Sequence, residues 1–312
     1  MKTEARGQRS EGGRQDAVSR LTSRALRACR AFTMIEIAIS LAIIGFALVA
    51  IIGVLPIGMN VQKDNREETI INQDASVCMD AIRNGAQGLD DLTNYVVAIT
   101  NSVTPYRPSG IPNGPTDVYG YTYSSSTKNG AQLSPPFPIN NGFRIVGLLS
   151  TPKYVPYSAR GGSGYYSNHV AAYVRSLSGP ASEKFPQDNP SMQDFAFTYR
   201  MTAEVVPYGT NYYDPNWTNY TAFPANSPDS AARYDYWMVG NTLQANLHDV
   251  RLIFRWPLRS KGQLGQGGQA FRTLVSGQLV ETNEPGFFRP SPTTPTPYDL
   301  YFFQPRTYVK AP

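Results

Sequence analysis

Residues 29 to 59 read "CRAFTMIEIAISLAIIGFALVAIIGVLPIGM". From Ile37 to Leu55 the chain passes 19 residues without a charge, close to the ~20 that a bilayer-crossing helix requires. Twelve of these are Ile, Leu, Val or Phe. At about −0.3 to −0.6 kcal/mol each on an insertion scale, the run gains roughly 4 to 7 kcal/mol. One central acidic residue costs about 2.5 to 3.5 kcal/mol, and Glu36 stands only at the edge of the run. Insertion is favoured, which leaves open why a carboxylate sits where the hydrocarbon begins.

The charges around this run set its expected orientation. The 28 basic and 23 acidic side chains divide as eight and three in residues 1–31, and as twenty of each thereafter. The net charge of +5 therefore lies entirely in the leader, with Arg20, Arg24, Arg27 and Arg30 nearest the apolar run. By the positive-inside rule the leader stays cytoplasmic and the chain after Met59 is exported. A balanced mature chain offers no basic footprint, so nucleic acid is not expected as a partner. The stretch "PIGMNVQKDN" after Leu55 lacks the small-residue pattern of signal-peptide cleavage. The apolar segment is therefore expected to stay in the mature protein, with membrane lipid around it.

The run "AFTMIEIAISLAIIGFALVAIIGVLP" resembles the prepilin cleavage/methylation segment of type IV pilins and type II secretion pseudopilins. The resemblance covers about 30 residues and rests on the order of basic leader, Phe, fifth-position Glu and apolar helix. It implies cutting between Ala31 and Phe32 by a prepilin peptidase/methyltransferase, and N-methylation of Phe32. Glu36 would be the fifth mature residue, guiding assembly by pairing with a neighbouring subunit's freed amine. A carboxylate in hydrocarbon is stabilised by such a cation. Pro56 would kink the helix, as a proline in this region commonly does in the family. Ala31 stands where glycine is usual, and a 31-residue leader is long for the family.

Further partners implied are other pilin or pseudopilin subunits and the inner-membrane assembly platform. The implied location is the bacterial inner membrane, single-pass with the C-terminal domain periplasmic, and then a pilus or pseudopilus filament. A signal-anchored exported binding protein or enzyme that joins no filament is the reading from a different class.

Beyond Met59 the apolar positions thin to a stripe. Ile71, Ala75, Cys78 and Ile82 recur at spacings of four, three and four, one face of an otherwise polar helix. Asn84-Gly85 supplies a stop, so a helix over 33–84 is expected, kinked near Pro56, with Lys63 to Glu68 on a solvated face. Cys78 on the stripe reads as a small apolar residue. With Cys29 in the leader, the mature chain keeps one thiol and no internal disulfide.

Composition then changes: all 20 tyrosines lie at or beyond Tyr95, and 24 of 25 prolines at or beyond Pro105. Such usage favours short strands and extended loops over further long helices. The expected fold class is α+β. The parts are a leader (1–31), a membrane or filament-core helix (32–59), its amphipathic continuation (60–85) and a β-rich domain (86–312). An exported part of this size favours a minor pilin or pseudopilin over the bulk subunit.

Strands are expected at Tyr95–Thr100, Phe143–Ser150, Val170–Ser176, Phe195–Val206, Asp249–Trp256, Ala270–Glu281 and Leu300–Phe303. In "LHDVRLIFRWP", Val250, Leu252, Phe254 and Trp256 alternate with Arg251, Ile253 and Arg255, the period of a half-buried strand. The glycine-rich "SKGQLGQGGQ" then reads as a loop closing a hairpin onto "AFRTLVSGQLVE". There is no internal repeat, and "FFRPSPTTPTPYD" reads as an extended surface segment.

No enzymatic constellation stands out. His169 and His248, the only histidines, lack a Cys or second His at ligand spacing, so neither zinc nor a His-based triad is expected. "GQLGQGG" lacks the Walker order of Gly, Lys and Ser/Thr, and "ARGGSG" (159–164) reads as a plain loop. Asp90-Asp91 and Asp188-Asn189 carry no EF-hand-like ligand series, so neither metal nor cofactor is expected. The sequons Asn216-Trp217-Thr218 and Asn219-Tyr220-Thr221 matter only where a glycosylation system is present. Tyr-rich loops with Ser, Gly and Asn suit protein or glycan contacts.

Overall fold

The computed structural model describes residues 32–86, 88–159, 162–178, 197–208, 239–259, 262–283 and 296–310. It holds a long N-terminal helix and a β-rich domain with a large antiparallel sheet. By its internal contacts the chain forms two units, Met1–Asp64 and Asn65–Pro312.

In the first unit the helix α1 (Met34–Arg83) begins, and it continues into the second. Every residue from 32 to 66 is exposed. Pro56 lies inside the helix, where its missing N–H leaves the Ile52 carbonyl without its usual partner.

The second unit starts from the polar half of α1. Ile71, Ala75, Cys78 and Ile82 are all buried, together with Ile70, Asp74 and Ala81. The helix stops where Asn84-Gly85 places the end, with Gly85 at φ +57°, the left-handed turn that glycine adopts without strain. The exposed run Lys63 to Glu68 is broken only by half-buried Glu67.

Strands follow in chain order: β1 (Val96–Tyr106), β2 (Asp117–Thr122), β3 (Ser126–Lys128) and β4 (Ala131–Gln132). After the short helix α2 (Gly142–Leu149) come β5 (Tyr154–Ala159), β6 (Gly162–Arg175), β7 (Thr198–Pro207), β8 (Leu247–Leu258) and β9 (Leu264–Ser276). Among the described residues these nine strands form one sheet, ordered β4-β3-β2-β1-β6-β7-β8-β9 with β5 beside β6. A separate hairpin joins β10 (Gln278–Asn283) to β11 (Asp299–Gln304). The core gathers the apolar stripe of α1, α2, β11 and one face of the sheet. On β8, Val250, Leu252, Phe254 and Trp256 all point into it, as their alternation predicts. The hairpin of β8 and β9 is present, in register from Leu247↔Ser276 to Trp256↔Gly267.

Four expectations need correcting. Residues 143–150 are not a strand, because α2 occupies them. Asn141 caps it, its side chain accepting from the Arg144 N–H at 2.9 Å. Ile145, Leu148 and Leu149 are buried at helical spacing, so a five-residue apolar cluster hid a period of 3.6. Ala270–Glu281 is two strands in two sheets, broken at Gly277 with φ +123°.

The glycine-rich stretch is mostly strand rather than loop, since β9 opens at Leu264. Before it the Arg259 N–H donates to the Gln263 carbonyl at 2.8 Å, and Gly262 has φ +73°. Gly267 has a steric reason: a Cβ there would lie 2.5 Å from Trp256 Nε1. The glycine gives the indole its space on the neighbouring strand. Likewise the described residues of "ARGGSG" belong to strands, with β5 running to Ala159 and β6 from Gly162.

Gly267→Ala is therefore expected to destabilise the β-rich unit by about 1–3 kcal/mol through overpacking. Urea unfolding followed by tryptophan fluorescence should show a lower midpoint. Gly88→Ala, with nothing within 4 Å of its added methyl, should leave that midpoint in place.

Candidate functional site

Two sites carry chemistry: the start of α1 and a buried carboxylate in its second half. At the start, Phe32 is 80% exposed and Thr33 precedes the first helical residue. The Thr33 N–H and the Thr33 hydroxyl both donate to Glu36 Oε2, each at 2.9 Å. The Glu36 N–H donates to Thr33 Oγ1 at 3.3 Å. This is a reciprocal capping box, in which each side chain satisfies a backbone donor of the first turn.

Glu36 thus has a local partner that the sequence reading left out, although Thr33-x-x-Glu36 before an apolar run is the pattern for it. Both bonds fall on Oε2, so the cap holds the carboxylate against the chain three residues back, one residue from the nitrogen of Phe32. Ala31 and the leader lie outside the described residues.

The helix that follows is apolar on all sides. Ile37, Leu41, Ile44, Leu48, Ile52 and Leu55 are each more than two-fifths exposed. It is the one candidate membrane span among the described residues, with none of its apolar window buried in the protein. A helix that is hydrophobic all round requires lipid or protein around it. The chain is thus consistent with a single-pass membrane protein.

The second site is Asp74, 1% exposed. Its Oδ1 accepts from the Ser178 N–H at 3.1 Å and the Ser178 hydroxyl at 2.6 Å. Its Oδ2 accepts from the Leu177 N–H at 2.9 Å and the Tyr199 hydroxyl at 3.0 Å. Burial raises the pKa of Asp74 above its ordinary value, and the four donors only partly offset it. Burial also pushes the Cys78 thiol up to about 12, with the Asp74 charge adding to it. Cys78 is thus an inert apolar side chain.

His169 is exposed on β6, while His248 is buried on β8 against Phe303. Burial lowers His248 to about 4, so it is neutral at physiological pH. Asp90 Oδ1 accepts from the Gly142 N–H at 2.9 Å, tying α2 to the chain before β1. Among the described residues no three His, Cys, Asp or Glu side chains gather as a metal site. Asp188-Asn189, both sequons and most of the Pro-rich segment lie outside the described residues.

No protein-family model, curated protein sequence or solved structure matches the chain.

Each carboxylate oxygen of Asp74 accepts from one backbone N–H, so in either orientation Asp74→Asn sets its amide N–H₂ against a group that can only donate. The variant should lose about 1–3 kcal/mol of stability, read as a lower urea midpoint of the detergent-solubilised chain. His248 sets a pH dependence of its own. Between pH 6.5 and about 4 the unfolded chain holds a proton that the native His248 lacks. Stability is then complete above 6.5 and falls with pH through that window, by about 3 kcal/mol in all. The difference in unfolding free energy between the parent chain and His248→Phe, followed across that range, should shrink accordingly.

Proposed function

We propose that this chain is a pilin-like structural subunit, built into a type IV pilus or type II secretion pseudopilus through its N-terminal helix. The observation that carries the reading is an apolar helix exposed on every side that opens with a single carboxylate, Glu36. That carboxylate stands at the fifth position from Phe32, where the resemblance to prepilin segments requires it. The helix serves first as a membrane anchor and then as part of a filament core, with the leader cytoplasmic and the β-rich unit periplasmic. A prepilin peptidase/methyltransferase cuts at Ala31-Phe32, and an inner-membrane platform together with other subunits completes assembly. A β-rich part of this size supports a minor component, and no catalytic role is assigned to it.

The capping box refines what Glu36 does. It holds Glu36 Oε2 on the Thr33 N–H and hydroxyl of its own chain, which supports a carboxylate held in place for a neighbour's amine. Charge and capping are separable, because a glutamine keeps the acceptor oxygen and loses the charge.

Mass analysis of membrane-extracted protein should find a chain beginning at N-methyl-Phe32. An intact Met1 terminus in cells with active prepilin peptidase would overturn the proposal. Glu36→Gln and Glu36→Leu should both be processed and both fail to enter sheared filaments. Incorporation of Glu36→Gln at the parental level would reduce the residue to a helix cap.

A further inference from the structure

Independently of any filament, the second unit carries a concave site of about 460 Å³ that the reading above leaves unused. Five parts of the chain converge on it: the start of β5, the end of β7, the helical segment 239–246 running into β8, the β10–β11 hairpin, and Val309. Its walls include proline, valine and leucine side chains and half-buried Tyr154, over one face of which the Lys153 ammonium lies 5.8 Å from the ring centroid. Tyr154 is itself braced edge-on by Tyr165 at 5.5 Å, and Tyr165 stacks on Tyr106 at 5.2 Å.

The polar lining is distinctive. Asn241, Gln244 and Gln278 contribute three amides, and no side-chain hydrogen bond to any of them is found among the described residues. His248 lines the same space, 5% exposed, with no partner for Nδ1. Glu281 and Tyr301 face each other across the β10–β11 register and complete the wall.

This composition selects a ligand class. Among the described residues no Lys or Arg lines the cavity, so a phosphate or carboxylate ligand finds no counter-charge from them. Each amide presents both donor and acceptor, which matches a hydroxyl group, itself both donor and acceptor. An ammonium ligand could meet Glu281 but is donor-only and would leave the amide N–H groups facing it unmet. The weakly positive C–H face of a sugar ring packs on the negative face of an aromatic such as Tyr154. Predominantly apolar walls with a few convergent polar groups are the general form of a small-molecule site. We propose that this cavity binds a neutral polyhydroxylated ligand, the terminal sugar of a glycan.

The two histidines make the test selective. Full-length chain with ring-labelled histidine, in a polyoxyethylene detergent without a sugar headgroup, gives one signal within the site and one, His169, on exposed β6. Titration with glucose, galactose, mannose and N-acetylglucosamine should move the His248 signal saturably for at least one of them and leave His169 in place. Asn241→Ala and Gln278→Ala should each weaken that binding about fivefold or more, with the unchanged His169 signal showing that the fold is kept. An unmoved His248 signal across the panel overturns the proposal. So does a response to n-butylamine stronger than to any sugar, which would assign the cavity to a cationic side chain, and so does equal binding by both variants.

Discussion

Asp74 is the point at which helix and sheet become one unit. A buried carboxylate is costly unless its lone pairs are met, and here four donors meet them, two from the backbone after β6 and two from side chains. Those partners lie 103 to 125 residues further along the chain. The contact therefore exists only when α1, the end of β6 and β7 are all in place. Apolar stripes tolerate a shift along the helix better than a carboxylate does, because a shifted carboxylate would be buried against groups that cannot donate. Ile71, Ala75, Cys78 and Ile82 supply the burial, and Asp74 between them selects one register. Such a polar contact specifies a structure beyond its own contribution to stability.

Periodicity made the large features legible. The stripe on α1, the Asn84-Gly85 stop, the alternation on β8 and the hairpin to β9 all follow from spacings of 3.6 or 2 and from one turn residue. What stayed hidden has identifiable causes. α2 packs five apolar residues into eight positions, so no period stands out, and its one clear signal was the capping Asn141. β9 looks like a loop because its glycines make room for Arg255, Trp256 and Pro257 across the ladder, a reason that resides in a neighbouring strand. Asp74 reads as an ordinary polar residue of a solvated helix until residues 177, 178 and 199 arrive beside it. The cavity is assembled from five separate parts of the chain, and no local pattern announces it.

Glu36 shows the opposite case, a residue for which local and long-range readings coincide. The capping bonds to Thr33 need nothing beyond one helical turn, and they account for a carboxylate at a membrane boundary without any partner subunit. They do not compete with the proposed pairing, since the cap engages Oε2 alone and aligns the group with the N-terminal end of the helix. That end carries the positive pole of the helix dipole, which favours the ionised form on which the pairing relies. Capping is thus a condition under which the charge can act.

The apolar half of α1 supplies the last constraint. Soluble domains rarely expose apolar patches of more than a few hundred Å², yet here the chain leaves its large side chains from Phe32 to Val61 uncovered on every face. Nothing among the described residues buries them, in contrast to residues 70–82, where one face is buried and the other is polar. The change from all-round to one-sided hydrophobicity within a single helix marks a change of surroundings, from lipid or packed helices to the face of a sheet. An enclosing medium is therefore as much a part of this fold as the sheet is. A filament of like helices and a bilayer both provide one, and a subunit that passes from the second to the first keeps the same side chains buried throughout.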